Sequence, residues 1–144
     1  MDADDKSPPF ELPIRVYIED TDAGGVVFHP KYLHFMERAR TEWLRSRDVR
    51  LRAGMTDNIS YVVQRASIHY AVAAYLDEEL RVTADLVRCG KVWMEFHQQV
   101  LRVPDGVLVA EATIKIACVA LDSGRPRRLP AAILALAPLP GRPD

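Results

Sequence analysis

The sequence has little cysteine, and what it has indicates no covalent or metal framework. Only two of the 144 residues are cysteine, Cys89 and Cys118. They lie far apart in the chain and form no C-x-x-C pair, so neither a disulfide framework nor a thiolate zinc site is predicted. We interpret both as packed strand residues.

Histidine is also scarce, and its spacing favours no metal site. His29 and His34 are five residues apart, not the four that align two ligands on one helix face. His69 and His97 fall on different predicted strands, and the commoner interpretation of His69 is a hydrogen-bonded strand residue rather than a catalyst. A G-x-S-x-G motif is absent, so Ser-His-Asp catalysis has no support. We predict no bound metal.

The chain has neither an excess of charge of one sign nor an apolar run of membrane-spanning length. Its formal net charge is -1, so no global field favours nucleic acid. The start, MDADDKSPPF, is acidic instead of basic and then apolar, so no secretory signal is indicated. We predict a cytoplasmic protein. With 49% hydrophobic residues, the chain has enough apolar material for one domain with its own core.

What the sequence does contain is one stretch, around residues 15–47, in which a strand, an acidic turn and a helix follow directly on one another. Ile14, Val16 and Ile18 alternate with other residues in the period-two pattern of a strand with one buried face. The turn concentrates three carboxylates beside a glycine pair that permits dihedrals forbidden to other residues. Its members are Glu19, Asp20, Asp22, Gly24 and Gly25.

A long helix is predicted to begin at Pro30, because proline is favoured at the first helical position, where a backbone N–H would have no partner. Apolar residues then recur at helical spacing and define the face that packs. They are Leu33, Met36, Ala39, Trp43 and Leu44.

Four further strands are predicted at residues 60–72, 80–88, 92–103 and 107–121, from their β-branched and aromatic content. Short turns such as Pro104-Asp105-Gly106 join them into a meander. With the first strand they predict an α+β fold, an antiparallel five-stranded sheet against one helix. We expect a mobile lead-in at 1–13, the domain at 14–130, and a Pro-rich tail at 131–144 that opens with a short helix at 131–136.

The acidic turn and the helix start together indicate a site. The first turn of a helix presents unpaired N–H groups and a partial positive charge, which suits an oxyanion. If the turn folds back, Asp22 and the N–H of His29 would flank one reacting carbonyl, as base or nucleophile and as donor. On composition alone the commoner alternative is that Asp22 is an ordinary turn residue.

The motifs DTDAGGVVFHPKY (residues 20–32) and FMERARTEWL (residues 35–44) resemble the signature of hot-dog-fold acyl-CoA thioesterases. The group is that of 4-hydroxybenzoyl-CoA thioesterase, and more closely its branch associated with the Tol-Pal system. The likeness spans about residues 14–130. It implies a sheet wrapped around the long helix, a carboxylate at Asp22 that acts on the thioester carbonyl, and a backbone oxyanion contact at His29.

The resemblance also implies how the substrate is held. We assign Gly25, Tyr32, Arg88 and Lys91 to substrate binding, with Arg88 and Lys91 beside a turn where related thioesterases place phosphate-binding residues. A solvated basic loop is the alternative for these cations, and for a second basic cluster at residues 125–128. Coenzyme A is part of the substrate, so no separate cofactor is expected.

The mechanism and two other classes of function stay open. Asp22 would either attack the thioester or activate a water. A hot-dog enoyl-CoA hydratase pairs Asp and His five residues apart, whereas Asp22 and His29 are seven apart. A non-catalytic acyl-CoA-binding or scaffold protein is the other alternative. Peripheral association with membranes or acyl-carrier proteins is a further partner prediction for this chain. The exposed strand edge of a single sheet predicts a homodimer or homotetramer with sites between subunits.

Overall fold

Five strands form one antiparallel sheet in this computed structural model, which describes residues 9–136. The order across the sheet is β1-β3-β4-β5-β2, with every neighbouring pair antiparallel, so β1 and β2 are its two edges. The strands are β1 (Phe10–Arg15), β2 (Ile59–Tyr70), β3 (Glu79–Cys89), β4 (Trp93–Val103) and β5 (Leu108–Ala120).

One long helix, α1 (Lys31–Ser46), packs on the inner face of this sheet against β1, β3 and β4. Trp43 meets Phe96 of β4 edge-on, with ring centroids 5.4 Å apart, so helix and sheet share one apolar core. The shorter elements are a 3-10 turn (Ile18–Asp20), α2 (Leu51–Thr56) and α3 (Ala131–Leu134). The α+β hot-dog architecture predicted from the sequence is confirmed.

The first strand is displaced from its predicted position. β1 pairs with β3 from Phe10 to Arg15, and Ile18 is 76% exposed in the 3-10 turn instead of facing the core. Pro13 is tolerated because an edge strand needs ladder partners on one side only. The predicted lead-in is therefore wrong for residues 10–13, while residues 1–8 lie outside the described range.

The strand order corrects the predicted meander. β3, β4 and β5 are consecutive neighbours, and the Gly106 N–H donates to the Arg102 carbonyl at 2.7 Å in the last turn. β2 does not pair with β3 but lies at the far edge, paired with β5. The order of strands depends on long-range pairing across the whole sheet. The alternation of apolar residues along the chain therefore predicts where each strand lies, but not which strands pair with each other.

The C-terminal segment belongs to the core. Leu129 and Ile133 are 3% and 0% exposed, so the core extends past the domain end predicted at residue 130. α3 confirms the short helix predicted after Pro130, and the rest of the predicted tail, residues 137–144, lies outside the described residues. Across residues 9–136, every helix is too short or too polar to cross a bilayer.

Candidate active site

Asp22 and His29 lie on a small hairpin that leads directly into α1. The Asp22 N–H donates to the Val26 carbonyl and the Phe28 N–H donates to the Asp20 carbonyl, each at 2.9 Å. At the tip Gly25 takes φ +81°, in the left-handed region that glycine enters without steric cost. A Cβ at Gly25 would meet nothing within 4 Å. Glycine is therefore required there for backbone conformation, and the space beside it is open.

Within the described residues, the His29 backbone N–H is a free donor at the start of α1. The N–H groups of Val27, Phe28 and Lys31 each reach a carbonyl at 2.8–2.9 Å. In contrast, no acceptor for the His29 N–H exists among residues 9–136. Pro30, the N-cap residue, has no N–H. An unpaired donor at the positive end of a helix is suited to bind an anionic oxygen.

The Asp22 carboxylate is exposed in the single chain. Its Oδ1 accepts the Gly24 N–H at 2.8 Å, the local bond of an Asx turn. No other hydrogen bond or ion pair to this carboxylate is formed by the described part of the chain. Asp22 therefore both shapes the turn and keeps Oδ2 available to a substrate or a water.

A neighbouring carboxylate, Asp20, is structural. Asp20 is 4% exposed, its Oδ2 accepts the Tyr17 N–H at 2.9 Å, and its Oδ1 lies 3.1 Å from the Lys31 Nζ. This ion pair joins the base of the hairpin to the first residue of α1. Of the three clustered carboxylates, Asp20 holds the hairpin on the helix while Asp22 projects from it.

Aromatic side chains surround the helix start. His29 contacts both Phe28 and Tyr70 edge-on, with ring centroids 5.2 and 5.9 Å apart, and Tyr70 lies 5.8 Å from Tyr32. Tyr32 is 3% exposed, its hydroxyl accepts the Ala74 N–H at 3.2 Å, and burial raises its pKa. Tyr32 thus packs behind Tyr70 in the interior of the protein. A direct contact between Tyr32 and substrate stays a prediction.

Arg88 and Lys91 lie at the opposite end of the sheet from the hairpin. The Leu76 N–H donates to the Gly25 carbonyl at 3.1 Å, so the hairpin lies near the start of β3. Arg88 is nine residues further along that strand than Glu79, roughly 30 Å at the rise of an extended chain. One chain therefore does not bring these cations to its own Asp22.

The structure unites the two basic segments that are separate in the sequence. The Leu129 N–H donates to the Lys91 carbonyl, and the Arg127 N–H donates to the Cys118 carbonyl, each at 2.9 Å. These bonds place the exposed segment Arg125 to Arg128 beside the turn that carries Lys91. Arg88 lies with its guanidinium carbon 5.2 Å from the ring centroid of Trp93. The result is one basic end of the molecule.

His69 lies on the opposite face of β2 from its neighbour Tyr70, and it pairs across the ladder with Glu111. The partner that contacts Glu111 is His97, whose Nε2 lies 2.6 Å from Oε2. His97 and Gln99, and to a smaller extent the charge of His69, hold the pKa of the Glu111 carboxyl below its usual range. No group of three or more His, Cys, Asp and Glu side chains within residues 9–136 is arranged to hold a metal.

A buried polar cluster that was not predicted from the sequence lies under α1. Arg40 is 7% exposed, and its Nη1 donates to Oε1 of the fully buried Gln98 at 3.0 Å. The Gln98 amide donates to the carbonyls of Met36 and Thr83, at 3.0 and 2.9 Å. Helical spacing could have revealed Arg40, because it lies one turn after Met36 on the buried face. The sequence of β4 alone does not indicate that the Gln98 side chain is buried and bonded to α1.

The fold and the hairpin at its helix start define the hot-dog class, and comparison with known proteins agrees. A family model described as the thioesterase-like superfamily matches residues 16–136. The acyl-CoA thioesterase YbgC of Haemophilus influenzae is 41% identical over 122 residues, covering 84% of this chain and 88% of that protein. The acyl-CoA thioester hydrolase YbgC of Escherichia coli O6:H1 is 37% identical over 126 residues, covering 88% and 93%.

A solved structure shows the same fold. The 1,4-dihydroxy-2-naphthoyl-CoA thioesterase from Synechocystis superimposes with a TM-score of 0.83 at 22% identity, covering 89% of this chain and 94% of that one. The chain belongs to the thioesterase-like superfamily. The resemblance found in the motifs at residues 20–32 and 35–44 is thereby confirmed.

Proposed function

We propose that the protein hydrolyses acyl-CoA thioesters, with Asp22 as general base or nucleophile and the His29 N–H as oxyanion donor. In the general-base route Asp22 takes a proton from water, the water oxygen adds to the thioester carbonyl carbon, and the carbon–sulfur bond breaks as the tetrahedral intermediate collapses. In the nucleophilic route Asp22 attacks first, the carbon–sulfur bond breaks as the anhydride forms, and water then hydrolyses the anhydride to regenerate Asp22. In both routes the products are a carboxylic acid and the thiol of coenzyme A. The family and the names of the YbgC relatives support this activity.

The single observation that carries the site assignment is that the His29 N–H at the start of α1 has no acceptor among residues 9–136. A donor fixed by the backbone needs no reorganisation when charge develops on the carbonyl oxygen. The carboxylate of Asp22 lies on the same hairpin and has its Oδ2 unpaired within the described chain, so it is the proposed base or nucleophile. Gly25 and Tyr32 complete the proposed surroundings.

The basic end formed by Arg88, Lys91 and residues 125–128 is proposed to bind the phosphates of coenzyme A. Because it is about 30 Å along the strand from the hairpin, it would serve the active site of another subunit. We therefore propose a homodimer, with assembly to a tetramer as a further outcome of the same measurement. A cytoplasmic location and peripheral contacts with membranes or acyl-carrier proteins stay predictions.

A thiol-release assay on short-chain, long-chain and aromatic acyl-CoAs tests the proposal directly. Asp22→Asn is expected to fold normally and to lose at least about 100-fold in turnover, the usual contribution of general-base catalysis. Asp57→Asn is the matched control, because Asp57 is an exposed carboxylate that follows α2. Near-normal turnover by Asp22→Asn would remove Asp22 from the mechanism, and no thiol release by the wild type would reject the function.

A further inference from the structure

A cleft runs between α1 and β2 on the inner side of the sheet. It consists of two adjacent cavities of about 80 and 260 Å³, and Glu37, Arg40 and Val63 line both. Their sizes together reach the lower end of small-molecule pockets, roughly 300 Å³. Most of the remaining wall is apolar: Leu33, Leu44, Leu51, Met94, Phe96, Ile114 and Ile116. The reacting groups proposed above, Asp22 and His29, do not line this cleft.

Arg40 places a positive charge in the wall of this apolar cleft. It is buried, yet it forms no ion pair with any described carboxylate, and its one hydrogen bond to a described side chain is to Gln98. A guanidinium has five N–H donors, so most of them are left for another acceptor. Burial lowers the pKa of Arg40 to about 10. The group is therefore still a cation at neutral pH.

Tyr61 adds a second unused donor. Its hydroxyl is buried in the wall of the smaller cavity and has no hydrogen-bond partner within residues 9–136. Burial raises the pKa of Tyr61 to about 12, so the hydroxyl is neutral and keeps its proton. A buried hydroxyl without a partner is uncommon in folded proteins and calls for an explanation. An oxygen acceptor entering the cleft would satisfy Tyr61 and Arg40 together.

We propose that this cleft holds the distal part of the acyl group and that Arg40 and Tyr61 select acyl chains ending in a carboxylate. The inference rests on the proposed thioester hydrolysis and adds the substrate class. The apolar walls suit methylene groups, and a guanidinium and a hydroxyl that line the same small cavity suit the two oxygens of a carboxylate.

The distance along α1 from the proposed reaction site to Arg40 determines how long an acyl chain must be to reach Arg40. Nine residues separate Lys31, the first of α1, from Arg40, which is about 14 Å along the helix axis. The Arg40 side chain leans back towards the start of the helix and shortens that distance. A long dicarboxylic chain therefore fits better than a short one.

Glu37 is the acidic side chain among the described residues that line the cleft, and its charge acts on Arg40. It is exposed, whereas Arg40 and the Tyr61 hydroxyl are buried. Solvent screens the repulsion between an exposed Glu37 and an entering carboxylate, while hydrogen bonds from the two buried donors are strong in a region of low dielectric constant.

The test is the ratio of kcat/KM on dodecanedioyl-CoA to that on dodecanoyl-CoA, which differ only in the terminal carboxylate. The wild type is expected to prefer the dicarboxylic thioester at least tenfold, about 1.4 kcal/mol, and less for adipyl-CoA over hexanoyl-CoA. Arg40→Gln should abolish the preference. Tyr61→Phe should reduce it, and because the Tyr61 hydroxyl has no partner in the described chain, this variant leaves no bond within that part of the chain broken.

Arg45→Gln, the same substitution on the exposed side of α1, is the control and should keep the ratio. Calorimetric binding of dodecanoate and of its uncharged methyl ester separates the cleft from the chemistry, because the two differ in the charge offered to Arg40. Tighter binding of the carboxylate that is abolished in Arg40→Gln and reduced in Tyr61→Phe supports the inference even in a protein that hydrolyses no thioester. Equal kcat/KM on the two thioesters by an active wild type, or equal affinity for the carboxylate and its ester, would overturn it.

Discussion

His29 has two groups that act separately, a backbone N–H and an imidazole, and substitution can remove them one at a time. His29→Ala retains the N–H, so a role confined to the main chain predicts turnover close to the wild type. His29→Pro removes the donor, and the loss of one oxyanion contact is expected to lower turnover roughly 100-fold. The measurement is thiol release from a saturating acyl-CoA, with circular dichroism to verify that both variants fold.

The comparison discriminates between the two groups of His29. A large loss in His29→Ala would place the imidazole, which lies against Phe28 and Tyr70, in the reaction itself. Equal turnover in a folded His29→Pro and in the wild type would contradict the oxyanion assignment.

Asp20 is expected to contribute to stability rather than to chemistry. Asp20→Asn retains an acceptor for the Tyr17 N–H but leaves Lys31 without its counter-ion. Loss of one partner of a buried pair costs roughly 3–5 kcal/mol, and the partial exposure of Lys31 reduces that to about 2 kcal/mol. Urea unfolding measures the difference in the free energy of unfolding.

Asp48→Asn is the matched control, because the side chain of Asp48 is 95% exposed in its pair with Arg50. Exposed pairs contribute little, so the expected change is within about 0.5 kcal/mol. Similar losses in Asp20→Asn and Asp48→Asn would show that the hairpin does not depend on the Asp20–Lys31 pair.

At this scale the sequence identifies residue types better than their environments. Asp22, Gly25 and His29 follow from a turn and a helix start, which are local features. Asp20 is indistinguishable from Asp22 in sequence, because its burial depends on the Lys31 side chain and on the path of β1. The place of the hairpin on the sheet is likewise a long-range feature, because the Val27 N–H donates to the carbonyl of Ala74, far away in the chain.

Among the secondary-structure elements, α1 and β4 are joined by a buried amide in addition to the packing of Trp43 on Phe96. Gln98 bonds Arg40, Met36 and Thr83, and so connects the helix to two strands. Gln98→Leu retains volume but leaves three buried polar groups without this partner, each a loss of order 1 kcal/mol or more. We expect the free energy of unfolding to fall by about 3 kcal/mol in urea.

Gln99→Leu serves as the control on the same strand. The Gln99 side chain is half-buried and bonds Glu111 at 3.3 Å, so its loss is expected to be well below 1 kcal/mol. A Gln98→Leu protein as stable as Gln99→Leu would mean that the helix is held by apolar packing alone.

The elements themselves were largely predictable, because period-two and helical patterns report one buried face each. The structure starts α1 one residue after the predicted Pro30 and places β2 to β5 within two residues of their predicted ends. β1 was predicted less well, since Pro13 reads as a loop residue unless the strand is known to be an edge. The pairing of β2 with β5 could not be predicted from the turn sequences, because the two strands are far apart in the chain.

At the scale of the whole molecule, the two sheet edges differ in their capacity to pair with another chain. β1 has six residues and contains Pro13, a common way to protect an edge. β2 has twelve residues without proline or glycine, and it exposes Val62, Val63 and Tyr70 by 48%, 50% and 41%. An edge of that length and composition is suited to β-sheet extension across a two-fold axis.

Pairing through β2 would also supply what one chain lacks around Asp22. The carboxylate is exposed and the basic end is about 30 Å away along a strand. A second subunit can therefore both cover the hairpin and present its own Arg88 and Lys91. We expect light scattering to give at least twice the chain mass of 16.2 kDa.

Amide hydrogen exchange tests which edge pairs. In a dimer joined through β2, the amides of residues 59–70 that point away from β5 should exchange slowly, because each has an acceptor in the partner. The outward amides of β1 should exchange quickly in the same sample and serve as an internal control. Fast exchange at alternate β2 residues, with slow exchange along β1, would place the interface on the opposite edge and leave the hairpin uncovered.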